Sequence, residues 1–230
     1  LFNGMDGLTK GKPTDHDFLY IPALKSDSLL NRINWAVVTP TTAINKISLV
    51  NAITFDADKG YKGDGVSASL SFNWNVSTNR TQTSYNDATA YGITYNMLTR
   101  GYCMIGTTGN NNTPIFLRSG SATGKHITRL YTAAISFSNV GQDLVDGDFV
   151  ELSTGNDIAD FRINSISKQS EALPIEDTTN NGDGLGAFKY LSNQYANGAS
   201  VIGLCKYLTD SESNDLRTLY NNYLANIAAL

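Results

Sequence analysis

An alternation of apolar and polar residues within positions 56–72 limits the folds that this chain can adopt. Three glycines predict a turn in the first half of the segment: Gly60, Gly63 and Gly65. Apolar side chains then occupy every second position: Val66, Ala68, Leu70 and Phe72. Serines fill the positions between them: Ser67, Ser69 and Ser71. Because successive side chains of a strand point to opposite faces of its sheet, this period of two predicts a half-buried antiparallel strand. The segment therefore predicts a β-sandwich whose sheets each keep one solvent-facing side.

Further short apolar segments predict strands along the rest of the chain. They are Ala52–Phe55, Ala88–Tyr95, Tyr102–Ile105, Ile115–Arg118, Ile127–Tyr131, Ala133–Phe137, Phe149–Leu152, Ile158–Ile163, Ala187–Leu191 and Ser200–Tyr207. Turn-rich stretches separate them: Asn73–Asn86, Gly106–Thr113, Gly141–Asp148 and Asp177–Gly186. Short strands at near-regular spacing are typical of a sandwich or barrel rather than of alternating strands and helices. We therefore predict an all-β fold.

The last segment of the chain predicts an amphipathic helix over residues 209–228. Thr209 and Glu212 have the spacing of a capping box, in which each side chain bonds the backbone N–H of the other residue. Beyond them, apolar residues recur at steps of three and four: Leu216, Leu219, Tyr220, Tyr223, Leu224 and Ile227. Such a stripe buries one side of a helix. We expect the helix to lie on the sandwich.

The start of the chain differs from the rest, because glycines and Pro13 break any periodicity there. We expect residues 1–17 to form an irregular arm or linker. Residues 18–230 are expected to form a single sandwich domain that includes the terminal helix, within the usual length of such domains. A brief helix is predicted from Ser26 or Asp27 through Ile33, with either residue as its N-cap. The missing initiator Met predicts a processed segment or a part of a longer protein.

Charge and hydropathy argue against two classes of partner. The chain of 230 residues has a net charge of −4 and no basic run, so the electrostatic footprint of nucleic-acid binding is missing. No apolar stretch approaches the ~18 residues of a membrane span. Charged residues make up 17% of the chain, below the ~25% of ordinary globular domains. The Ser-, Thr-, Asn- and Gly-rich surface suits an extracellular protein or a virion.

The thiols and imidazoles do not predict a catalytic or zinc site. Cys103 and Cys205 both lie in apolar, strand-like contexts, so we expect two buried thiols, although spacing alone does not decide whether they pair. Two cysteines without a CxxC motif, together with only two histidines, argue against structural zinc. His16 and His126 are predicted to be surface histidines, and no GxSxG nucleophile elbow accompanies them.

The acidic residues were considered as glycosidase carboxylates and as calcium ligands. Retaining glycosidases need two carboxylates about 5–5.5 Å apart. The candidate pairs are Asp56/Asp58, Asp146/Asp148, Glu176/Asp177 and Asp210/Glu212. All lie in turn-like or cap-like contexts, so we expect solvated carboxylates and no catalytic residue.

Calcium is the alternative for two loops. Asp56–Gly60 opens like a calcium loop but lacks the third ligand residue and the distal glutamate. Asn180–Gly184 offers oxygen atoms as well. Asn, Asp and Gly commonly form turns for conformational reasons. We therefore expect turns, and no cofactor or metal ligand is assigned.

Aromatic residues provide the basis for a sugar-binding interpretation. Twelve tyrosines and two tryptophans supply flat apolar faces with polar edges, which suit stacking on sugar rings. Trp74 follows the alternating strand and is a candidate for a loop rim, whereas Trp35 is expected in the core. Tyrosines are equally common in strands and at subunit interfaces. Their number therefore leaves both interpretations open.

Several segments, in this order, resemble a β-sandwich module of bacteriophage virion proteins related to the concanavalin A-like (LamG/lectin-type) jelly rolls. They are Asp17–Tyr20 with Asn34–Trp35, Ile53–Phe55 leading into Gly60–Gly65, Tyr85–Ala88 and the closing Leu208–Glu212. The resemblance covers nearly the whole chain, from Asp17 to Leu230. The chain departs from it at Ala68–Asn73, where a different strand follows the glycine-rich turn, and at Gly141–Ile163, which is longer.

The resemblance implies a jelly-roll domain of a fibre, decoration or other exterior protein of a phage particle. It implies a non-enzymatic structural role at the virion surface, with other virion proteins and further copies of this chain as partners. The alternative is a carbohydrate-binding adhesion module that recognises host surface glycans. A glycan hydrolase is the remaining option, for which the residues offer the least support.

Overall fold

A computed structural model describes most of the chain. It covers residues 5, 8–27, 32, 34–36, 46–74, 79–97, 101–107, 115–119, 125–132, 134–138, 140–174, 176, 184–190 and 193–230. The predicted helix from Ser26 or Asp27 through Ile33 lies largely outside these residues, as does most of the loop Asn180–Gly184.

The described residues form two large antiparallel sheets packed face to face, with a small hairpin beside them. Their strands are β1 (His16–Tyr20), β2 (Ser48–Val50), β3 (Thr54–Asp56), β4 (Gly60–Lys62), β5 (Ser69–Ser71), β6 (Asp87–Tyr95), β7 (Cys103–Thr107), β8 (Ile115–Ser119), β9 (His126–Leu130), β10 (Ile135–Phe137), β11 (Phe149–Gly155), β12 (Ile158–Ile163), β13 (Ile166–Ala172), β14 (Leu185–Ala187), β15 (Lys189–Tyr190), β16 (Asn193–Gln194) and β17 (Gly198–Cys205). The first sheet has the order β13-β12-β11-β6-β17-β4-β3, with β1 also paired to β17. The second has the order β10-β9-β8-β7-β14-β5-β2. The predicted sandwich is confirmed.

Aromatic side chains fill the space between the two sheets beside strand β1. Phe18 packs against Phe72 and Trp74 with ring centroids 5.4 and 5.3 Å apart. Trp74 is buried, so its predicted place on a loop rim is wrong. The reason is that the chain continues along the inner face for two residues beyond Phe72, and Trp74 there accepts the backbone N–H of Leu185.

The alternating segment 66–72 is only partly a strand. Ala68, Leu70 and Phe72 are buried as predicted, but Val66 is 78% exposed and Ser69 is buried. Val66 faces solvent because Asp64 holds the preceding turn: its carboxylate accepts backbone N–H groups of residues 66, 67 and 68 at 2.8, 2.7 and 2.8 Å. The strand therefore begins only at Ser69.

The glycines predicted to form a turn have a different role at Gly60, which begins strand β4. Gly60 has φ +110°, and a Cβ atom there would lie 2.4 Å from the carbonyl oxygen of Ala199. Only glycine lets β4 approach β17 this closely. The predicted turn is therefore shorter than expected, and it begins after Lys62.

Two tight hairpins set the position of β11, β12 and β13. Asn156 and Asp157, between β11 and β12, have φ of +54° and +59°. Asn164 and Ser165, between β12 and β13, have φ of +56° and +63°. Positive φ at both central residues matches the twist of the flanking strands, and Asn and Asp tolerate it. Strand β13, which the sequence did not predict, is an exposed edge strand with few apolar residues.

The terminal helix α1 (Asp210–Ala228) covers the outer face of the first sheet. Thr209 is its N-cap and forms the predicted capping box with Glu212. Leu216, Tyr220 and Ile227 are buried against the sheet, so the predicted amphipathic helix is confirmed. In the described part of the chain, no helix combines the length and apolar character needed to cross a bilayer.

Residues before β1 lie against this helix. Met5 is buried in the same apolar cluster as Leu216 and Tyr220. Gly11 has φ +83°, and a Cβ atom there would lie 3.5 Å from a methyl group of Leu216. Strand β1 begins at His16, two residues before the predicted start of the domain. The division into an arm and a domain at residue 17 stays a prediction.

Candidate functional site

Polar side chains gather on the outer face of the first sheet, beneath the beginning of helix α1. Neighbouring strands β11 and β12 pair Glu151 with Arg162 and Ser153 with Asp160. All four residues are buried. On an ordinary antiparallel sheet this face would meet water. Here the helix covers it, so each polar group needs a partner within the protein.

The guanidinium of Arg162 is the centre of this cluster. Its Nε donates to Asp160 at 2.6 Å, and one terminal nitrogen donates to Ser153 and to the carbonyl oxygen of Leu208 at 3.3 and 2.8 Å. The other terminal nitrogen lies 3.0 Å from a carboxylate oxygen of Asp210. Arg162 thus joins β12 to the N-terminal end of α1.

Glu151 lies deeper beneath the helix than Arg162. Ser213 of α1 lies 2.7 Å from both of its carboxylate oxygens. Burial raises the pKa of Glu151 to about 7, against the lowering effect of the Ser213 hydrogen bond and of Arg162. The side chain therefore carries a proton at mildly acidic pH, where an exposed glutamate is ionised.

His16 was predicted at the surface, and this prediction is wrong. It is buried, with Nδ1 2.7 Å from the carbonyl oxygen of Lys12 and Nε2 2.7 Å from the hydroxyl of Tyr91. The hydroxyl of Tyr220 lies 2.7 Å from that of Tyr91 and extends the chain to α1. Burial lowers the pKa of His16 to about 4, so the imidazole is neutral at physiological pH. The polar residues around His16 concealed its burial, because the helix that covers it is distant in sequence.

His126 is buried as well, contrary to prediction. It stacks on Phe161 with ring centroids 4.4 Å apart, and the hydroxyl of Tyr102 lies 3.0 Å from its Nδ1. Burial lowers its pKa. Buried and half-buried residues alternate along strand β9, and His126 occupies one of the buried positions. Neither histidine has a serine or cysteine nucleophile within hydrogen-bonding distance in the described part of the structure.

A cavity of about 160 Å³ opens beside Arg162, and we call it the Tyr207 cavity. Its lining consists of Gly155, Asn156, Ile158, Asp160, Arg162, Ser170 and Tyr207. It combines one aromatic ring with amide, hydroxyl, carboxylate and guanidinium groups. Small-molecule sites typically combine an apolar face with a few convergent polar groups in this way.

Gly155 determines how the Tyr207 ring lies. A Cβ atom at Gly155 would come within 2.6 Å of the ring, so the absence of a side chain lets the ring lie flat against β11. The backbone N–H of Tyr207 donates to Asp87 at 2.9 Å, which fixes the backbone below it. The ammonium of Lys10 lies 5.6 Å from the ring centroid and donates to the Tyr207 carbonyl oxygen. The ring is held from several sides.

A second cavity, of about 370 Å³, lies at the other end of α1. Its aromatic residue is Tyr95, whose ring covers Gly198 and whose hydroxyl donates to the Gly60 carbonyl oxygen at 2.9 Å. Asp146 in its lining accepts the backbone N–H of Met97. Its lining also includes the apolar side chains of Ile93, Leu224 and Ala228, which offer no hydrogen bonds to a sugar, so this cavity is the weaker candidate.

The candidate carboxylate pairs do not converge on one cleft. Asp56 and Asp58 pair with Lys62 and Lys25 at 2.8 and 3.2 Å. Asp210 pairs with Arg162, and Glu212 caps α1. Glu176 lies 3.7 Å from Arg80, and Asp177 falls outside the described residues.

Asp148 is the exception to the predicted solvated carboxylates. It is buried, because it accepts the backbone N–H of Val145 at 2.8 Å and the side-chain amide of Asn164 at 2.7 Å. Both contacts hold the turn that leads into β11. Its role is to stabilise that turn.

Both cysteines and the acidic loop Asp56–Gly60 belong to the described residues. Within the described ranges, no three His, Cys, Asp or Glu side chains come together as a metal site. At Asp56–Gly60 the carboxylates bond lysines, as given above. Cys103 and Cys205 are both free and buried, which confirms the expectation of two thiols. Burial raises the pKa of Cys103 to about 12, so the thiol stays protonated.

Sequence reasoning missed the residues that build this site. Glu151 and Ser153 alternate with Val150 and Leu152, and such alternation normally marks a solvent-facing side. The signal that was present is the amphipathic helix itself. A helix laid on a sandwich must cover the outer face of one sheet, and charged residues on that face then become buried.

Comparison with known proteins shows the fold. No family model matches the sequence, and no curated protein matches it. Among solved structures, the ligand binding domain of Botulinum neurotoxin serotype D, in complex with N-acetylneuraminic acid, superposes with a TM-score of 0.60 at 12% identity. The match covers 94% of this chain and 52% of that chain.

Two further structures extend the comparison. A mutant of Trypanosoma rangeli sialidase that displays trans-sialidase activity has a TM-score of 0.61 at 11% identity, over 96% of this chain and 37% of that one. The receptor binding domain of the botulinum neurotoxin C/D mosaic serotype has a TM-score of 0.57 at 13% identity, over 90% and 51%. This chain thus spans between about a third and a half of the length of these proteins. At such identities the likeness establishes the architecture, a β-sandwich shared with toxin receptor-binding domains and sialidases.

Proposed function

We propose that this protein is a carbohydrate-binding module whose ligand occupies the Tyr207 cavity. The observation that carries the proposal is a tyrosine ring laid flat on Gly155, beside the polar groups of Asn156, Asp160 and Ser170. Sugars present an apolar C–H face together with a rim of hydroxyl groups. A ring bordered by hydrogen-bonding groups is complementary to both.

The structural neighbours support the same class of ligand. One of them is a toxin ligand binding domain in complex with N-acetylneuraminic acid, and others are sialidases. Those proteins are much longer than this chain, so their activities are not transferred to it. They support a general capacity of this architecture to accommodate glycans.

Replacing Tyr207 by Ala should weaken glycan binding about tenfold, because the stacking face is lost. Asn156→Gly should also weaken binding, since it removes an amide from the rim while keeping the positive φ that the turn requires. Binding is measured by isothermal titration with the glycan that gives the strongest signal on an array of host-derived glycans.

Tyr223→Ala is the matched control for this experiment. Tyr223 is a half-buried tyrosine on α1 outside the Tyr207 cavity, and its hydroxyl donates to the carbonyl oxygen of Ala23. It should lose stability but retain affinity. Equal losses of affinity in the two tyrosine variants, or no glycan bound at all, would contradict the proposal.

We further propose that the module is not an enzyme. Arg162 and the serines already engage Asp160, and Glu151 is inaccessible beneath α1. Asp58 and Asp146 both line the cavity at the other end of α1, but Asp58 pairs with Lys25 and Asp146 accepts the backbone N–H of Met97, so both carboxylates are engaged within the fold. Release of reducing sugar from a bound polysaccharide would overturn this part of the proposal.

Placement on a bacteriophage particle stays a prediction from the sequence resemblance. On that view the module is an exterior virion protein, it assembles with other virion proteins and with itself, and its glycan is on the host surface. Light scattering at high protein concentration tests self-association. A strictly monomeric protein would argue against a fibre.

A further inference from the structure

We infer that the Tyr207 cavity selects uncharged, hydroxyl-rich glycans and rejects sugars that carry a carboxylate. The inference rests on the proposed function and names its ligand class. It differs from what the neighbouring toxin domain suggests, since that domain was solved with N-acetylneuraminic acid, an acidic sugar.

Arg162 cannot bind a ligand carboxylate through two parallel N–H groups. A guanidinium has five N–H donors, and it binds carboxylates best through two parallel N–H groups. In this structure Nε and both terminal nitrogens of Arg162 already donate to Asp160, Ser153 and the carbonyl oxygen of Leu208, or pair with Asp210. Four of its five N–H groups therefore have a partner within the protein, which leaves no parallel pair for a carboxylate.

The Asn156 amide can donate as well as accept, whereas Asp160 and Ser170 offer acceptors to a ligand. Ser170 donates its hydroxyl hydrogen to Asp160 at 2.7 Å, so its oxygen keeps lone pairs for a ligand. Asp210 uses one carboxylate oxygen for Arg162, and its side chain is 71% exposed. Sugar hydroxyl groups donate to such acceptors, whereas a carboxylate has no hydrogen to donate at neutral pH.

The charge balance points in the same direction. Asp160 and Asp210 oppose the single charge of Arg162, and Asp87 holds the Tyr207 backbone N–H. Lys10, over the Tyr207 ring, adds one positive charge. These three carboxylates outnumber the two cations, Arg162 and Lys10, even without Glu151. An anionic sugar would enter a partly desolvated site of its own sign.

The test uses pairs of glycans that differ only by a terminal sialic acid, titrated against the wild-type protein and two variants. The wild type should bind the neutral member about tenfold more tightly than the sialylated one. Asp210→Asn removes one negative charge beside Arg162, so it should narrow the ratio of neutral to sialylated affinity about threefold.

Asp215→Asn is the control, because Asp215 is an exposed carboxylate on the same helix that has no part in the cavity. It should leave the ratio unchanged. Tighter binding of the sialylated member by the wild type would overturn this inference and leave the sugar-binding proposal standing. An unchanged ratio in Asp210→Asn would also overturn it. Absence of binding to every glycan would overturn both proposals.

Discussion

Replacing Asp17 by Ala should destabilise the protein by about 4 kcal/mol, the largest loss that we expect from any single side chain of the structure. Asp17 is buried on β1 and holds the segment that precedes β6. Its carboxylate accepts the backbone N–H groups of Thr81, Gln82 and Thr83 at 2.5, 2.8 and 3.1 Å. It also accepts both threonine hydroxyls.

The reason for the large effect is burial. Without the carboxylate, several donors lose their acceptor where water has little access, and each buried unpaired group costs about 1–3 kcal/mol. Asp17→Asn should lose about half as much, because its amide keeps one acceptor oxygen but turns hydrogens toward the other donors. Urea denaturation measures the change as a lower midpoint with an unchanged slope.

Asp64→Ala provides a matched comparison. Asp64 also accepts three backbone N–H groups, but it is exposed, so water can replace it. Its loss should be much smaller than that of Asp17. If the two alanine variants lose equal stability, burial of the Asp17 contacts is not what makes them important.

Glu151→Gln should stabilise the protein at pH 8 by as much as about 3 kcal/mol, which few single substitutions achieve. The pKa of Glu151 is raised from 4.5 to about 7 by burial. Since the folded protein binds the proton more tightly, stability falls as pH rises from about 4.5 to about 7 and stays low above it. Gln keeps the shape and an acceptor for Ser213 without the charge.

His16 produces the opposite pH dependence in nearly the same range. Burial lowers its pKa from 6.5 to about 4, so the unfolded chain binds the proton more tightly. Stability therefore falls as pH drops from about 6.5 to about 4. In the wild type the two slopes should largely cancel between pH 4.5 and 6.5. In the Glu151→Gln variant, stability should therefore fall with decreasing pH as His16 alone dictates.

Urea denaturation between pH 4 and pH 8 tests both statements. Glu171→Gln serves as the control, because Glu171 is exposed on the edge strand β13. It should leave the pH profile of the free energy of unfolding unchanged. A Glu151→Gln protein no more stable than the wild type at pH 8 would contradict the buried, proton-binding carboxylate described above.

The parts of the fold that were predictable are those determined by local pattern. The capping box of Thr209 and Glu212 and the apolar stripe after it depend on neighbours three and four residues away, so the helix was predicted within a residue. Strand β12 was predicted over its full length, because its apolar residues are dense and tight turns flank it.

The missed elements depend on contacts between distant segments. Gly60 is part of a strand because β17 lies against it, and β13 is a strand because a two-residue turn folds it back on β12. Val66 fits the alternation but is exposed because Asp64 bonds the backbone around it. In each case the deciding partner lies outside the pattern that was used for prediction.

The candidate site shows the same limit more strongly. Tyr207 and Gly155 are 52 positions apart in the chain, and only the adjacent placement of their segments brings the ring onto the glycine. Arg162 and Asp160 have the two-residue spacing of one strand face, which predicts that they lie together but not that α1 covers them. The sequence therefore offered sugar binding as an alternative, but it did not predict the position of the proposed site.

A crystal structure of the protein with its strongest-binding glycan tests the central claim most directly. We predict a sugar ring stacked on Tyr207, with hydroxyl groups donating to Asp160, Ser170 or Asn156. A glycan bound elsewhere, with the Tyr207 cavity unchanged, would contradict the account.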